Sequence, residues 1–116
     1  MGYQETRENT TVTIANGANL SSAVDLTGLW LLAIQVPAAW TTAAITLQAS
    51  AGGIVYANVY DESIELSLPA AASRYLIVPP YLSHCFRHLK IRSGTVGTPV
   101  NQDAERILVL VTRPME

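Results

Sequence analysis

Hydrophobic and polar residues alternate with a period of two along most of this chain, and no segment carries the 3.6-residue apolar stripe of an amphipathic helix. The alternating segments are rich in β-branched residues and are separated by turn-forming pairs such as Asn16-Gly17, Gly52-Gly53 and Pro79-Pro80. The pattern predicts strands near Thr10–Ala15, Ser22–Leu26, Leu29–Val36, Ala43–Ser50, Ile54–Tyr60, Ser63–Leu68, Arg74–Val78, Arg87–Ser93 and Arg106–Thr112.

Eight or nine short strands over this length predict an all-β fold, and specifically a single antiparallel β-sandwich of jelly-roll type. Two segments, Leu29–Ile34 and Ile107–Val111, are apolar at every position, which is typical of central strands or of strands that make a contact. Arg87–Arg92 instead alternates, so that Leu89 and Ile91 are expected in the core. The outward positions of that strand are then His88, Lys90 and Arg92.

No charged residue occurs between Leu26 and Tyr60. Within this run a three-residue loop at Ala51-Gly52-Gly53 predicts a hairpin, because such loops take Gly at their left-handed position. The resulting register separates the side chains into two faces. The core face carries the pairs Ala49/Val55, Leu47/Ala57 and Ile45/Val59, and the other face carries Ser50/Ile54, Gln48/Tyr56, Thr46/Asn58 and Ala44/Tyr60.

The second face of this predicted hairpin is neutral and rich in Thr, Gln, Tyr and Asn, a composition found at the centres of protein interfaces. It is therefore a candidate protein-interface site, or a layer covered by loops of the same chain, and the residues leave both interpretations open. The candidate interface residues are Thr46, Gln48, Tyr56, Asn58 and Tyr60, together with Trp40 and Arg92.

The composition favours a subunit that is covered by partners. Hydrophobic residues make up 49% of the chain and charged residues 14%, where roughly a quarter is ordinary. A membrane-spanning helix needs about 20 apolar residues, and the best run, Leu29 to Trp40, is interrupted by Gln35 and Pro37. The chain opens without the pattern of a signal peptide, and a net charge of −2 gives no basis for binding nucleic acid. We expect one domain, residues 11–116, preceded by a flexible polar arm at residues 1–10.

Candidate catalytic and metal-binding groups are sparse. The one cysteine, Cys85, excludes an internal disulfide, and it lies between His84 and His88. On a strand these two histidines stand about 13 Å apart, too far to share a metal ion, whereas a helix would bring them together. The carboxylates Asp61, Glu62 and Glu65 could suggest a pair for glycoside hydrolysis, but they lie in a turn and at an exposed strand start, where solvated charges are normal. The Gly94–Gly97 loop has no phosphate-loop Lys or helix after it, which predicts a turn and not a phosphate cradle. Trp40 is a candidate surface platform for sugars, whereas Trp30 is expected in the core. We expect no enzyme activity, no cofactor, no metal and no small-molecule substrate.

Three stretches together resemble a family of small virion proteins of tailed bacteriophages. They are WTTAAITLQASAGGIVYANVYDE, AAASRYLIVPP and HLKIRSGTVGTPVNQDAERILVLVTRP, which cover roughly Thr10 to Pro114. The order and spacing of four motifs carry the resemblance, while Ala51-Gly52 departs from it by standing where Asp-Gly is common. The motifs are Trp40-Thr41-Thr42-Ala43, Gln48-Ala49-Ser50-Ala51-Gly52-Gly53, Arg92-Ser93-Gly94-Thr95 and Val100-Asn101-Gln102.

The resemblance implies a structural component of the virion, most simply a capsid decoration (cement) protein on the outer capsid surface. Such a protein would bind the major capsid protein and copies of itself, commonly as a homotrimer. The arm Met1–Thr10 would order on an adjacent subunit, and Arg74, Arg87, Lys90, Arg92 and Arg113 would meet capsid carboxylates at the rim of the contact. The alternatives are a tail, head-fibre or vertex-associated virion protein, or a β-sandwich module that binds glycans.

Overall fold

A computed structural model of the chain describes residues 9–83 and 86–115. The described residues form eleven strands and one single-turn helix. Most of the predicted arm, residues 1–8, lies outside the described residues, whereas Asn9 and Thr10 belong to the first strand. The elements are β1 (Asn9–Ile14), β2 (Val24–Asp25), β3 (Leu29–Gln35), β4 (Ile45–Ser50), β5 (Ala57–Asn58), β6 (Tyr60–Asp61), β7 (Ile64–Glu65), β8 (Ser67–Leu68), β9 (Tyr75–Ile77), α1 (Pro80–Ser83), β10 (His88–Ser93) and β11 (Arg106–Pro114).

The strands build two main antiparallel sheets, which confirms the all-β class. Sheet A has four strands in the order β1-β11-β3-β9. Sheet B has the order β2-β10-β4-β5, and β8 also pairs with β4. Strands β6 and β7 pair only with each other and form a small hairpin.

One apolar core lies beneath both sheets. The two strands predicted to be central, β3 and β11, do have a neighbour on each side. Alternate side chains of each sheet enter a single cluster of buried residues, as the period-two pattern predicts. Sheet A contributes Val12, Ile14, Leu31, Ile34, Leu108 and Leu110, and sheet B contributes Ile45, Leu47, Leu89 and Ile91.

The partner of β4 is a split strand, and here the predicted register is wrong. Gln48 lies opposite Asn58, and Val59 donates a backbone hydrogen bond of 3.1 Å to the Leu47 carbonyl. The ladder then passes directly to β8, where Leu68 lies opposite Ile45. Residues 60–66 leave the ladder as the β6–β7 hairpin. The shift relative to the prediction is two residues, which preserves the alternation, and Ile45, Leu47, Ala49 and Val59 are all buried in the core. Ala57, predicted on the core face, is exposed.

The loop before β5 explains the shifted register. Residues 51–56 form this loop, in place of the three predicted. The Ser50 hydroxyl accepts a 2.8 Å hydrogen bond from the Gly53 N–H and turns the chain away from the ladder. Gly53 has φ +83° and lies against the His88 ring. Val55, expected in the core, therefore stands in solvent at 80% exposure, next to Ile54.

Candidate interaction surfaces

The predicted interface on sheet B is partly covered by the chain itself. Arg92 points away from the core, as the alternation predicts, but only 7% of it is exposed, and Thr46 beside it is completely buried. The guanidinium donates to Thr46 Oγ1 at 3.2 Å and to Asn58 Oδ1 at 2.6 Å. The Thr46 hydroxyl donates in turn to the Gly94 carbonyl at 2.7 Å. Surface roles for Thr46 and Arg92 are therefore wrong for the free chain.

The β6–β7 hairpin covers Arg92 and supplies the carboxylate that balances its charge. Glu65 Oε2 lies 3.7 Å from Arg92 Nη1 and accepts a 3.0 Å hydrogen bond from the Val96 N–H. This carboxylate belongs to the set considered for glycoside hydrolysis, and it has a structural partner instead. Asp61 and Glu62 of the same set are exposed on the hairpin.

The other end of this face stays accessible, and its interface role stays a prediction. Asn58 and Tyr60 are exposed, while Gln48 and Tyr56 are half-buried. The Lys90 ammonium lies 4.6 Å from the centre of the Tyr56 ring, a cation–π contact that brings a positive charge to a face expected to be neutral.

Trp40 is more buried, and Trp30 less buried, than the sequence predicts. Trp40, the predicted surface platform, is 9% exposed, lies in the core cluster and donates from Nε1 to the Ala43 carbonyl at 3.2 Å. Trp30, predicted in the core, is half-buried on β3. A stacking surface for sugars at Trp40 is therefore wrong.

The predicted metal cluster can be located only in part, because His84 and Cys85 lie outside the described residues. His88 begins β10, and its Nδ1 lies 3.9 Å from Asp25 Oδ1. Among the described residues no group of three or more His, Cys, Asp or Glu side chains is arranged to hold a metal ion. In the same part of the chain, no helix is long and apolar enough to cross a membrane.

Asp25 is the anchor of the turn between β2 and β3. Its carboxylate accepts hydrogen bonds from the hydroxyl and the backbone N–H of Thr27, the latter at 2.9 Å. These two bonds, followed by the positive charges of His88 and Arg87, hold the pKa of Asp25 below its usual value of 3.8, although desolvation acts in the opposite direction. Arg87 also donates to the Thr27 hydroxyl, at 2.8 Å and 3.0 Å.

A second buried polar group, Gln102, joins the loops at one end of the two sheets. It is completely buried, and its amide makes four hydrogen bonds. Oε1 accepts from the Thr41 N–H at 2.9 Å and from Arg106 Nε at 3.0 Å, while Nε2 donates to the Thr41 carbonyl at 3.0 Å and to Ser93 Oγ at 2.7 Å. Arg106 in turn meets Asp103 at 2.6 Å. The loop motifs at residues 92–95 and 100–102 thus contribute to a structural network.

The Gly94–Gly97 loop is a turn and not a phosphate-binding loop, as its sequence predicted. Gly94 is paired as an isolated bridge with Pro99, and Val100 donates to the Ser93 carbonyl at 2.9 Å. The loop is therefore closed by its own backbone.

The outer face of sheet A carries a broad patch of apolar and uncharged polar side chains. One row across the four strands is Thr11, Val109, Gln35 and Tyr75, and the next is Asn9, Val111, Ala33 and Ile77. A third row pairs Thr13 with Ile107. The intervening rows, such as Leu110 with Ile34 and Leu76, point into the core. None of these ten outward side chains carries a charge, and the patch ends at the next outward row, which pairs Trp30 with Arg113.

Several of these side chains are strongly exposed: Ile77 is 75% exposed, Tyr75 60% and Ile107 50%. A bulge between Val111 and Thr112 adds Leu32, at 39%. From strand spacing and rise, the face covers about 300 Å², part of which belongs to polar side chains. Exposed apolar side chains grouped on one face often mark a contact site. The sequence indicated this surface through the doubly apolar segment Ile107–Val111 but could not show which of its faces stays open.

A cleft of about 180 Å³ lies beside the β6–β7 hairpin and α1, lined by Val59, Tyr60, Asp61, Leu66, Tyr81, Leu82 and Phe86. Pockets for small-molecule ligands are usually larger, about 300–1,000 Å³, and combine apolar walls with converging polar groups. This cleft is smaller than that range and has mainly apolar walls.

Comparison of the chain with protein-family models, with curated proteins and with solved structures found no match.

Proposed function

We propose that the chain is a structural subunit of a bacteriophage virion, most simply a capsid decoration protein that binds the assembled major-capsid lattice. The observation that supports this proposal is the uncharged ten-residue patch on the outer face of sheet A, in a chain with 14% charged residues. A monomer that leaves such a face in water is at risk of aggregation, whereas a subunit that covers it with a partner is stabilised by it.

The proposed architecture is a single antiparallel sandwich of jelly-roll type. The inward residues of sheets A and B share one core cluster, as two stacked sheets would require. In this arrangement the outer face of sheet A points away from the core and is available as one flat contact surface.

The proposed mechanism is mass action. A protein that binds the assembled lattice but not its dissociated subunits shifts the equilibrium toward the lattice. The outer face of sheet A would bury apolar area against the capsid protein. The exposed cations Arg74, Arg87 and Arg113 would steer the encounter toward carboxylates, which affects association rate more than affinity. The resemblance also implies that copies associate as trimers.

The deciding experiment adds the purified protein to mature capsids that lack it and measures bound copies and capsid melting temperature. We expect saturable binding, hundreds of copies per particle and a higher melting temperature. Ile107→Lys, on the outer face of sheet A, should weaken binding at least tenfold, whereas the control Ile54→Lys, on the exposed loop 51–56, should not.

Absence of binding would contradict the decoration role. A dozen or fewer copies per virion would favour a tail, head-fibre or vertex position instead. Binding to isolated glycans in place of capsids would favour the glycan-binding alternative.

A further inference from the structure

Strand β9 ends sheet A with an open edge. The Arg74 carbonyl accepts a 2.8 Å bond from the Val36 N–H, and the Val78 N–H donates a 2.9 Å bond to the Leu32 carbonyl. In an antiparallel ladder, bonded positions alternate, so Arg74, Leu76 and Val78 face β3. The N–H and C=O groups of Tyr75 and Ile77 therefore point away from β3, and no described strand lies beyond them.

We propose that this edge pairs with β9 of a second copy, antiparallel, about a two-fold axis at Leu76. Tyr75 of each copy would then lie opposite Ile77 of the other, and each such pair would exchange two backbone hydrogen bonds. The two sheets would become one eight-stranded sheet with a continuous apolar outer face. The interaction is a two-fold contact and is therefore separate from any three-fold association.

The register follows from the residues that flank β9. An axis at Ile77 would place Pro79, which has no N–H, opposite Tyr75 of the other copy. An axis at Tyr75 would place Ile77 opposite Ser73, whose φ of +63° takes it out of the extended conformation. Only the axis at Leu76 places Tyr75 and Ile77 of each copy opposite residues that are extended and can both donate and accept a backbone hydrogen bond.

The side chains and charges at this edge are compatible with an identical copy. Tyr75 and Ile77 are both strongly exposed, and aromatic residues pair well with β-branched residues across antiparallel strands. The nearest charge on the strand is Arg74, which would lie opposite Val78. The two guanidinium groups would be separated by about 14 Å, beyond the Debye length at physiological salt, so they would repel little.

The contact is small, so it should form only when the local concentration of the protein is high. An edge of three residues is about 10 Å long and buries far less than the roughly 800 Å² per partner of a stable complex. This contact alone should therefore leave copies mainly unpaired in dilute solution. Pairing should appear at high concentration, or where copies are held side by side at effective concentrations near the millimolar range.

Disulfide trapping tests the register directly. Tyr75→Cys and Ile77→Cys are prepared separately in a Cys85→Ser background and oxidised alone and as a mixture. Directly opposed positions place their Cα atoms about 5.5 Å apart, within disulfide range, whereas like positions are separated by about 9 Å, which is too far. We expect the mixture to form covalent dimers about tenfold faster than either variant alone, and equal rates in all three samples would overturn the proposal.

A second measurement does not depend on disulfide geometry. Sedimentation velocity of the unmodified protein at increasing concentration should show a monomer–dimer equilibrium. Ile77→Lys should weaken it at least tenfold, because an ammonium group opposite Tyr75 must lose water, while the control Ile107→Lys, on β11 away from the edge, should leave it unchanged. Equal effects of the two substitutions, or a trimer with no faster trapping in the mixture, would contradict edge pairing. Because these assays use no capsid, they can fail independently of the proposed function.

Discussion

Gly94 occupies a position that no other residue can fill without moving the backbone. Its φ is +93°, and a Cβ placed on it would lie 2.5 Å from the Thr98 carbonyl oxygen and 2.6 Å from the Val100 nitrogen. Both contacts are to backbone atoms of the loop that returns to meet it. The residue therefore allows β10 to end in a closed turn.

A side chain at Gly94 should therefore destabilise the fold. Gly94→Ala should lower the free energy of unfolding by about 2 kcal/mol or more, because it combines left-handed strain with a backbone clash. Gly97→Ala, in the same loop but with nothing within 4 Å, is the matched control and should change it little. Urea denaturation of the two variants would measure the difference, and equal midpoints would contradict this explanation.

Gln102 supports a second prediction at the residue scale. Gln102→Leu removes four hydrogen bonds and leaves polar groups of Thr41, Ser93 and Arg106 buried with fewer partners. We expect a loss of about 2–4 kcal/mol in the free energy of unfolding. The control Asn101→Ala breaks one exposed bond, from Asn19 at 2.9 Å, and should cost less than about 1 kcal/mol.

At the scale of elements, the β6–β7 hairpin is joined to the outer face of sheet B by the ion pair between Glu65 and Arg92. Glu65→Ala would leave the buried Arg92 guanidinium without its carboxylate, although Thr46 and Asn58 would still accept from it. We expect a loss of about 1–3 kcal/mol by urea denaturation, since the pair is covered but not fully buried. Glu62→Ala, exposed at the hairpin turn, should be nearly neutral, and equal losses for the two variants would argue against this pairing.

Asp25, in the turn between β2 and β3, should make the stability of the protein depend on pH. Since the folded state lowers the pKa of Asp25, its stabilising contribution is complete above the unfolded value of about 3.8 and is lost as the pH falls through the lower folded value. Asp25→Asn should therefore lower the urea midpoint at pH 7, and the difference from the unsubstituted protein should close below pH 3.8. A difference that persists unchanged well below pH 3.8 would contradict this explanation.

The sequence predicted the positions of β1, β3, β4, β9, β10 and β11 well, because the period-two pattern depends only on which side chains face the core. It gave the correct faces for Leu47, Leu89 and Ile91 for the same reason. The predicted strands Ile54–Tyr60 and Ser63–Leu68 are instead broken into the short strands β5 to β8. The sequence could not predict what covers the opposite face. Arg92 and Trp40 were therefore misplaced, since their burial depends on contacts with segments distant in sequence.

The register between β4 and its partner shows a second limit. A Gly-Gly pair indicates a turn, but the length of the loop is set by the Ser50–Gly53 bond and by the excursion at residues 60–66. A continuous hairpin and a split strand share the same alternation of core residues. Pattern alone could not separate them.

At the scale of the whole molecule, the outer face of sheet A should govern solubility. Ile77→Lys combined with Ile107→Lys should raise the polyethylene glycol concentration needed to precipitate the protein, because it interrupts the apolar surface. Stability should change by less than about 0.5 kcal/mol, since both side chains are at least half exposed. A double control with two lysines at Thr98 and Ser63, exposed positions outside this face, makes the same change in net charge and should raise the precipitation point less. An equal rise would point to net charge as the cause.

The excursion at residues 60–66 has a consequence for how this chain can vary. The Leu66 N–H donates to the Val59 carbonyl at 3.0 Å, so the two ends of the excursion meet at the edge of sheet B. Its tip, at Glu62 and Ser63, is exposed and belongs to neither main sheet. Evolution can lengthen this tip without disturbing the ladder, and foreign peptides can be inserted there for display, provided that Glu65 keeps its place over Arg92.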